Sequence, residues 1–154
     1  MRLLVLHVDR FAYTVTEPSR SPLREPVEQR THAVANALVA LASVEREDEA
    51  EAAATADAAA VELTTLARRL GVTALVLHPF AHLFGEPSTP AMAVEVLDGV
   101  KERLLAAGLQ VHRSPFGWFT SWDLQAKGHP ISRVARIVRA GARGERVSGG
   151  GEAL

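Results

Sequence analysis

The stretch from Leu75 to Ile131 constrains this chain most. Two apolar runs of strand length within it each end in a short motif rich in Pro, Gly, His and aromatic residues. These are H-P-F-A-H-L, from His78 to Leu83, and S-P-F-G-W-F, from Ser114 to Phe119. Between them, Ser88 or Thr89 can cap a helix with Pro90 at its first position, running to Ala107 and closed by Gly108. A strand, a helix and a strand in that order predict layered α/β packing. Both motifs then fall at strand ends, where backbone groups can be aimed at a ligand and side chains need not fill a core.

The rest of the chain extends this pattern. Arg2 to Val8 reads as a buried strand and Phe11 to Thr16 as an alternating one, with Asp9-Arg10 between them as a tight hairpin. Thr16 to Thr31 carries Pro18, Pro22, Pro26 and several charges, the marks of a long surface loop of the mobile or functional kind. Ala33 to Arg46 is open on propensity alone: its Ala and Leu content suits a helix, while Leu38 to Val44 is an apolar run of strand length. Glu49 to Leu70 is an Ala-rich helix with acids in its first turn, Arg68 and Arg69 in its last and Gly71 as its stop. Val72 to His78 is a strand ended by Pro79; Leu109 to Arg113 and Trp118 to Ala126 are strands. The K-G-H-P run from Lys127 to Pro130 opens a short basic helix to Arg139. The order predicts an α/β sheet domain over 1–139 with helices packed on the sheet, and a flexible, Gly-rich tail over 140–154.

At 154 residues the chain can bury one real core. It has no apolar run near the ~20 residues a membrane span needs. The opening M-R-L-L-V-L-H-V-D starts like a signal peptide but breaks at His7 and Asp9, so an N-terminal strand fits better. Without cysteine there are no disulfides, no thiolate chemistry and no Cys-based zinc site, which suits a cytoplasmic protein. The net charge of −1 gives no global nucleic-acid signature. The charges are segregated, however: seven acids and one Arg from Glu45 to Glu62, against six Lys/Arg and one Glu from Lys127 to Arg146. The basic run is either a solvated face or a surface that meets phosphate.

Few side chains offer chemistry. His78 and His82 are four apart, but Pro79 between them and the strand before them remove the helical face that paired zinc ligands need, so no metal and no cofactor is expected. His82 is either a structural histidine or a hydrogen-bond donor or proton shuttle in a pocket. Phe80, Phe116, Trp118, Phe119 and Trp122 supply most of the aromatics; such residues can stack a nucleobase or fill a core, and the core is the expectation for Phe80 and Trp122. In Pro115-Phe116-Gly117, Pro removes a donor and Gly permits close approach of a ligand to the main chain. There is no G-x-S-x-G elbow, P-loop or dinucleotide fingerprint. Hydrolytic chemistry here would rest on few side chains, with backbone dipoles or the substrate supplying the rest.

Taken together, M-R-L-L-V-L-H-V-D at the start, L-V-A-L-A-S-V-E at Leu38 to Glu45, P-F-A-H-L at Pro79 to Leu83, P-A-M-A at Pro90 to Ala93, S-P-F-G-W-F and K-G-H-P are collinear with one family. The chain resembles the N-terminal editing domain of archaeal threonyl-tRNA synthetases, which has a D-aminoacyl-tRNA deacylase-like fold. The resemblance covers roughly Met1 to Arg139 and makes Leu38 to Glu45 a strand. It implies hydrolysis of serine wrongly attached to threonine tRNA, with main-chain atoms doing much of the recognition and the ribose hydroxyl of the tRNA assisting. It also implies a homodimer. Carried over residue by residue, Val44, Pro79, Phe80, Ala81 and Ala93 line the aminoacyl pocket, and a larger residue at 93 is expected to block it with the fold intact. His82 lies near the reacting ester, and Pro115, Phe116, Gly117, Trp118 and Phe119 bound the 3′-terminal adenosine.

Two positions depart from the family. A tyrosine and a lysine that follow P-F-G-aromatic are Phe119 and Thr120 here, and a Thr hydroxyl supplies no charge for positioning the attacking water. An acid of the family's last helix falls at Arg133, which would return the positive charge from another side. The catalytic candidates are therefore His82, Thr120 and Arg133. The expected activity is deacylation of a mischarged aminoacyl-tRNA by a freestanding domain acting in trans, which a threonyl-tRNA synthetase could recruit. The alternatives are a non-catalytic aminoacyl-tRNA or nucleotide-binding module, and a deacylase for a D- or non-proteinogenic aminoacyl ester.

Overall fold

A computed structural model gives the fold and describes residues 1–83, 85–141 and 145–146. The first element is a single strand, β1, over Arg2–Pro18. It pairs antiparallel along one edge with β2, Thr31–Ser43. The expected hairpin at Asp9-Arg10 does not exist. A straight strand of 17 residues would reach ~55 Å, too long for one compact layer. A bulge between Val8 and Arg10 bends it instead, with Asn36 opposite in the left-handed region at φ 49°. Both exposed side chains are held across strands: Asp9 by Lys127, and Arg10 weakly by Asp123 at 4.0 Å. A bulge needs the same polar, exposed residues that a turn does, which is why the pair reads as a turn.

After β2 the chain makes a 3-10 turn, Arg46–Glu51, and enters helix α1, Ala52–Leu70. Gly71 ends that helix at φ 67°, donating to the Ala67 and Arg68 carbonyls. Strand β3, Ala74–Pro79, returns parallel to β2. Helix α2, Pro90–Ala106, starts as expected, with the Thr89 hydroxyl accepting from the Met92 N–H. Strand β4, Gln110–Arg113, lies parallel to β3. Two strand–helix–strand crossovers thus lay α1 and α2 side by side on one face of the sheet.

Strand β5, Trp118–Ala126, and strand β6, Arg133–Ile137, follow one another along the free edge of β1. β5 runs from Pro18 back to Val8, and β6 from Leu6 to Arg2. The helix expected from Pro130 to Arg139 is therefore a turn followed by a strand. Arg133 is exposed and Val134 buried, and this alternation, together with the open backbone of β1, outweighs a helix of so few residues. Of the expected tail, Glu145–Arg146 form a short strand, β7, beside β6; residues 142–144 and 147–154 lie outside the described residues. The strand order is β4-β3-β2-β1-β6-β7, with β5 also on β1. This is a mixed α/β domain with a curled sheet and two helices on one face, as the resemblance implied.

Alternation sorts the apolar residues into two cores. The helix side gathers Leu3, Val5, Leu38, Ala40, Leu63, Leu75, Leu77, Leu97, Val100 and Leu104. Each fully buried Leu or Val there contributes ~1.5–3 kcal/mol. The far side is smaller: Val8, Phe11, Tyr13, Val15, Val39, Leu41 and Val76, with Phe80, Trp118 and Leu124 at its margin. Among the described residues no helix is long and apolar enough to cross a membrane. The segregated charges partly neutralise one another, since Arg136 pairs with Glu62 at 2.6 Å and Arg139 with Glu45 at 3.3 Å.

Candidate functional site on the far face of the sheet

The far face carries a polar network that begins where β3 ends. His78 alternates onto this face after Val76 and is buried, at 5 % exposure. Its Nδ1 is 2.7 Å from Ser114 Oγ and its Nε2 is 3.5 Å from Thr120 Oγ1. Thr120 lies on β5 opposite Val15, and its hydroxyl oxygen accepts from Trp122 Nε1–H at 2.8 Å. The Tyr13 phenol oxygen is 2.7 Å from His112 Nε2. His112 stacks on His32 with ring centroids 3.5 Å apart and 7° between planes. Around His78 the rings of Phe11, Tyr13 and Trp122 stand edge-on at 6.0, 5.7 and 5.2 Å.

This packing sets the protonation states. Burial, with the nearby His112 charge, pulls His78 down to about 4. Burial also pulls His112 to about 4, reinforced by His32, Lys101 and Arg113. Both rings are neutral at pH 7, so each carries one acceptor nitrogen and one donor. Burial raises the Tyr13 phenol, which stays protonated. The face thus presents hydroxyls and neutral imidazoles in contact, able to pass protons without holding a net charge.

The expected site residues divide between the two faces. Phe80 is half-buried, and its ring lies 5.8 Å from His82 and 6.0 Å from Trp122. Phe80, exposed Ala81, exposed His82 and Thr120 are therefore brought together at the end of β3. Trp122, expected in the core, is 39 % exposed and supplies the hydrogen bond to Thr120. Pro79 closes β3 opposite Ala42, whose carbonyl takes the Phe80 N–H. Val44 and Ala93 belong to the helix-side core, at 5 % and 7 % exposure. A leucine at 93 would crowd that core and lower its stability. Phe119 alternates to the face opposite Thr120 and is exposed.

Two expectations fail. Arg133 stands opposite Leu6, nine positions along β1 from the partner of Thr120, roughly 30 Å of strand. It cannot take the place of a cation at Thr120. The Pro115 to Trp118 segment, expected to face a ligand, is covered by the chain's own 19–30 loop. Ser19 and Glu25 donate their N–H groups to the Gly117 and Phe116 carbonyls, and Trp118 Nε1–H donates to the Glu25 carbonyl at 2.8 Å. The Glu25 carboxylate accepts from the Phe116 N–H at 2.7 Å and from the Arg113 guanidinium. Burial would raise this carboxyl, but these bonds and the Arg113 charge together hold it low. Gly117, at φ 91°, is needed because a Cβ there would run into the Leu23 carbonyl oxygen. The loop read as mobile is strapped down, and the glycine serves the strap.

Tyr13, His32, His112 and Ser114 were missed, and His78 was weighed only as a metal ligand. One signal was present: a histidine ends the apolar run Leu75-Val76-Leu77-His78, where a core needs none.

A curled sheet with two helices on one face and a histidine–hydroxyl network on the other defines the class of domain. Residues 1–138 match the family described as the Archaea-specific editing domain of threonyl-tRNA synthetase. The chain belongs to that family. It is 36 % identical over 148 residues to a threonine–tRNA ligase of Methanothrix thermoacetophila, covering 96 % of this chain and 24 % of the relative. It is 36 % identical over 138 residues to that of Methanopyrus kandleri, covering 90 % and 22 %. The chain thus spans about a quarter of the length of the curated relatives it matches. Membership places it among domains that proofread mischarged tRNA, with deacylation as the general activity.

Proposed function

We propose that this domain hydrolyses the ester of a mischarged aminoacyl-tRNA, with Ser-tRNA(Thr) as first substrate. The observation that carries the reading is the juxtaposition of Thr120, His78, Trp122, Phe80 and His82 at the end of β3. A proton-handling hydroxyl stands there beside flat rings that suit a terminal adenosine, in a chain whose family edits tRNA. The aminoacyl group lies against Pro79 and Ala81, with Val44 and Ala93 as a small-residue floor from the helix side. The Phe80 N–H is spent on Ala42, so the Ala81 and His82 N–H groups are the donors for the developing oxyanion. The ribose 2′-hydroxyl of the substrate is a further donor, as the resemblance implies. The proposal extends to action in trans, in the cytoplasm, by a homodimer.

The test is single-turnover deacylation of Ser-tRNA(Thr), Thr-tRNA(Thr) and a D-aminoacyl-tRNA by the 154-residue chain with no synthetase added. Serine should be released fastest. An extra methyl discriminates by only ~1–3 kcal/mol in a tight pocket, so threonine should be slowed by ~10- to 200-fold and not abolished. Binding of all three without release would show a non-catalytic module; preference for the D-ester would replace the substrate.

A further inference from the structure

The network on the far face has a direction. Trp122 Nε1 can only donate, so Thr120 Oγ1 must accept from it. The Thr120 proton is then free to point at His78 Nε2, 3.5 Å away. With that nitrogen as acceptor, His78 carries its proton on Nδ1 and donates to Ser114 Oγ at 2.7 Å. The Tyr13 phenol, its ring 5.7 Å from that of His78, pairs with His112 Nε2 at 2.7 Å. Among the described residues no buried side-chain nitrogen or oxygen lacks a partner. Thr120 is linked to Phe80 through the Trp122 ring, and one lone pair of its oxygen stays free to accept from a water.

We propose that Thr120, backed by His78 and Ser114, is the proton-accepting group of this site. The inference rests on the deacylase reading above. As a water oxygen bonds to the ester carbonyl carbon, its O–H bond breaks and the proton passes to Thr120 Oγ1. The Thr120 proton passes at the same time to His78 Nε2, leaving an imidazolium whose Nδ1–H is held by Ser114. When the tetrahedral intermediate collapses, the bond from carbon to the ribose oxygen breaks. The imidazolium proton then returns through Thr120 to that oxygen, and the free amino acid leaves with all groups restored. The ring is neutral at working pH, so its Nε2 lone pair is open to a proton, and its contacts with Thr120 and Ser114 fix how it is aimed. The titratable groups facing it are Tyr13 from β1, protonated, and His112 from β4, neutral. Thr120 touches the reacting water; His78 acts through it and is a positioning residue.

The test uses single-turnover deacylation of Ser-tRNA(Thr) at saturating protein, with the dissociation constant for the tRNA measured separately. Thr120→Val keeps the shape of the side chain and removes the hydroxyl; it should slow the chemical step roughly 100-fold with unchanged tRNA binding. Thr120→Ser, which restores a hydroxyl, should recover most of the rate. His78→Gln should slow the step by a similar factor, and the double variant Thr120→Val/His78→Gln should be no slower than either single one, since the two act in series. A wild-type rate retained in Thr120→Val, or a double variant slowed by the product of the two factors, overturns the relay and leaves the deacylase reading standing. Absence of hydrolysis by the unaltered chain overturns both.

Discussion

The two faces of the sheet are made by the same strands and share almost nothing else. On β3, Leu75 and Leu77 point toward the helices while Val76 and His78 point away. On β1, Leu3 and Val5 serve one side, and Phe11 and Tyr13 the other, because the bulge between Val8 and Arg10 reverses the alternation. The helix side is a continuous aliphatic core. The far side places rings, hydroxyls and neutral imidazoles on β1 to β5 and the turn after β4. A period of two lets one strand contribute stability on one face and reactive groups on the other. Polar groups beside the aliphatic core would cost several kcal/mol each unless fully paired.

Removing bulk from the helix side should give the largest effect and sharpen this contrast. Leu63 is fully buried on α1, and Leu63→Ala should destabilise the domain by ~2–5 kcal/mol in urea unfolding. The single-turnover rate of the protein that remains folded should be unchanged. A selective loss of rate at full stability would break the division of labour.

A smaller effect is expected where the two faces meet. Ala93→Leu should overpack the α2 side by ~1–3 kcal/mol and also fill the floor of the proposed pocket. Both the unfolding midpoint and serine release should fall. Full turnover in a destabilised protein would move the pocket off Ala93.

Acid is a graded probe of the far face. His78 and His112 titrate at about 4 in the folded chain against 6.5 unfolded. Between those values the unfolded chain binds more protons, so stability is full above pH 6.5 and falls as pH drops toward 4. The slope is ~1.4 kcal/mol per pH unit for buried His78 and smaller for half-exposed His112, whose charge solvent screens. Glu25, held below its ordinary value, adds a loss in the same direction below pH 4.5. His78→Gln should flatten urea-derived stability between pH 6.5 and 4, while Leu63→Ala should shift the whole curve and keep its slope. An unchanged slope in His78→Gln would show that the acid sensitivity arises elsewhere.

Much of this was legible locally. Thr89 and Pro90 announced α2, Gly71 ended α1, and the run from Leu75 to His78 was a strand by composition alone. Caps, breakers and alternation act over a few residues, so the sequence by itself determined the helices, most strands and, through collinear motifs, the family. It could not separate a bulge at Asp9-Arg10 from a hairpin, or a strand at Arg133–Ile137 from a helix, because each depends on a partner edge distant in the chain. The site was hidden for the same reason. Tyr13 and His112 are 99 residues apart and His78 and Thr120 are 42 apart, and only pairing of β1 with β2 and β5, and of β3 with β4, makes them neighbours. The chain chose the residue types. Tertiary structure alone decided that three histidines, a tyrosine, a serine and a threonine share one face, and burial there decided that the imidazoles stay neutral.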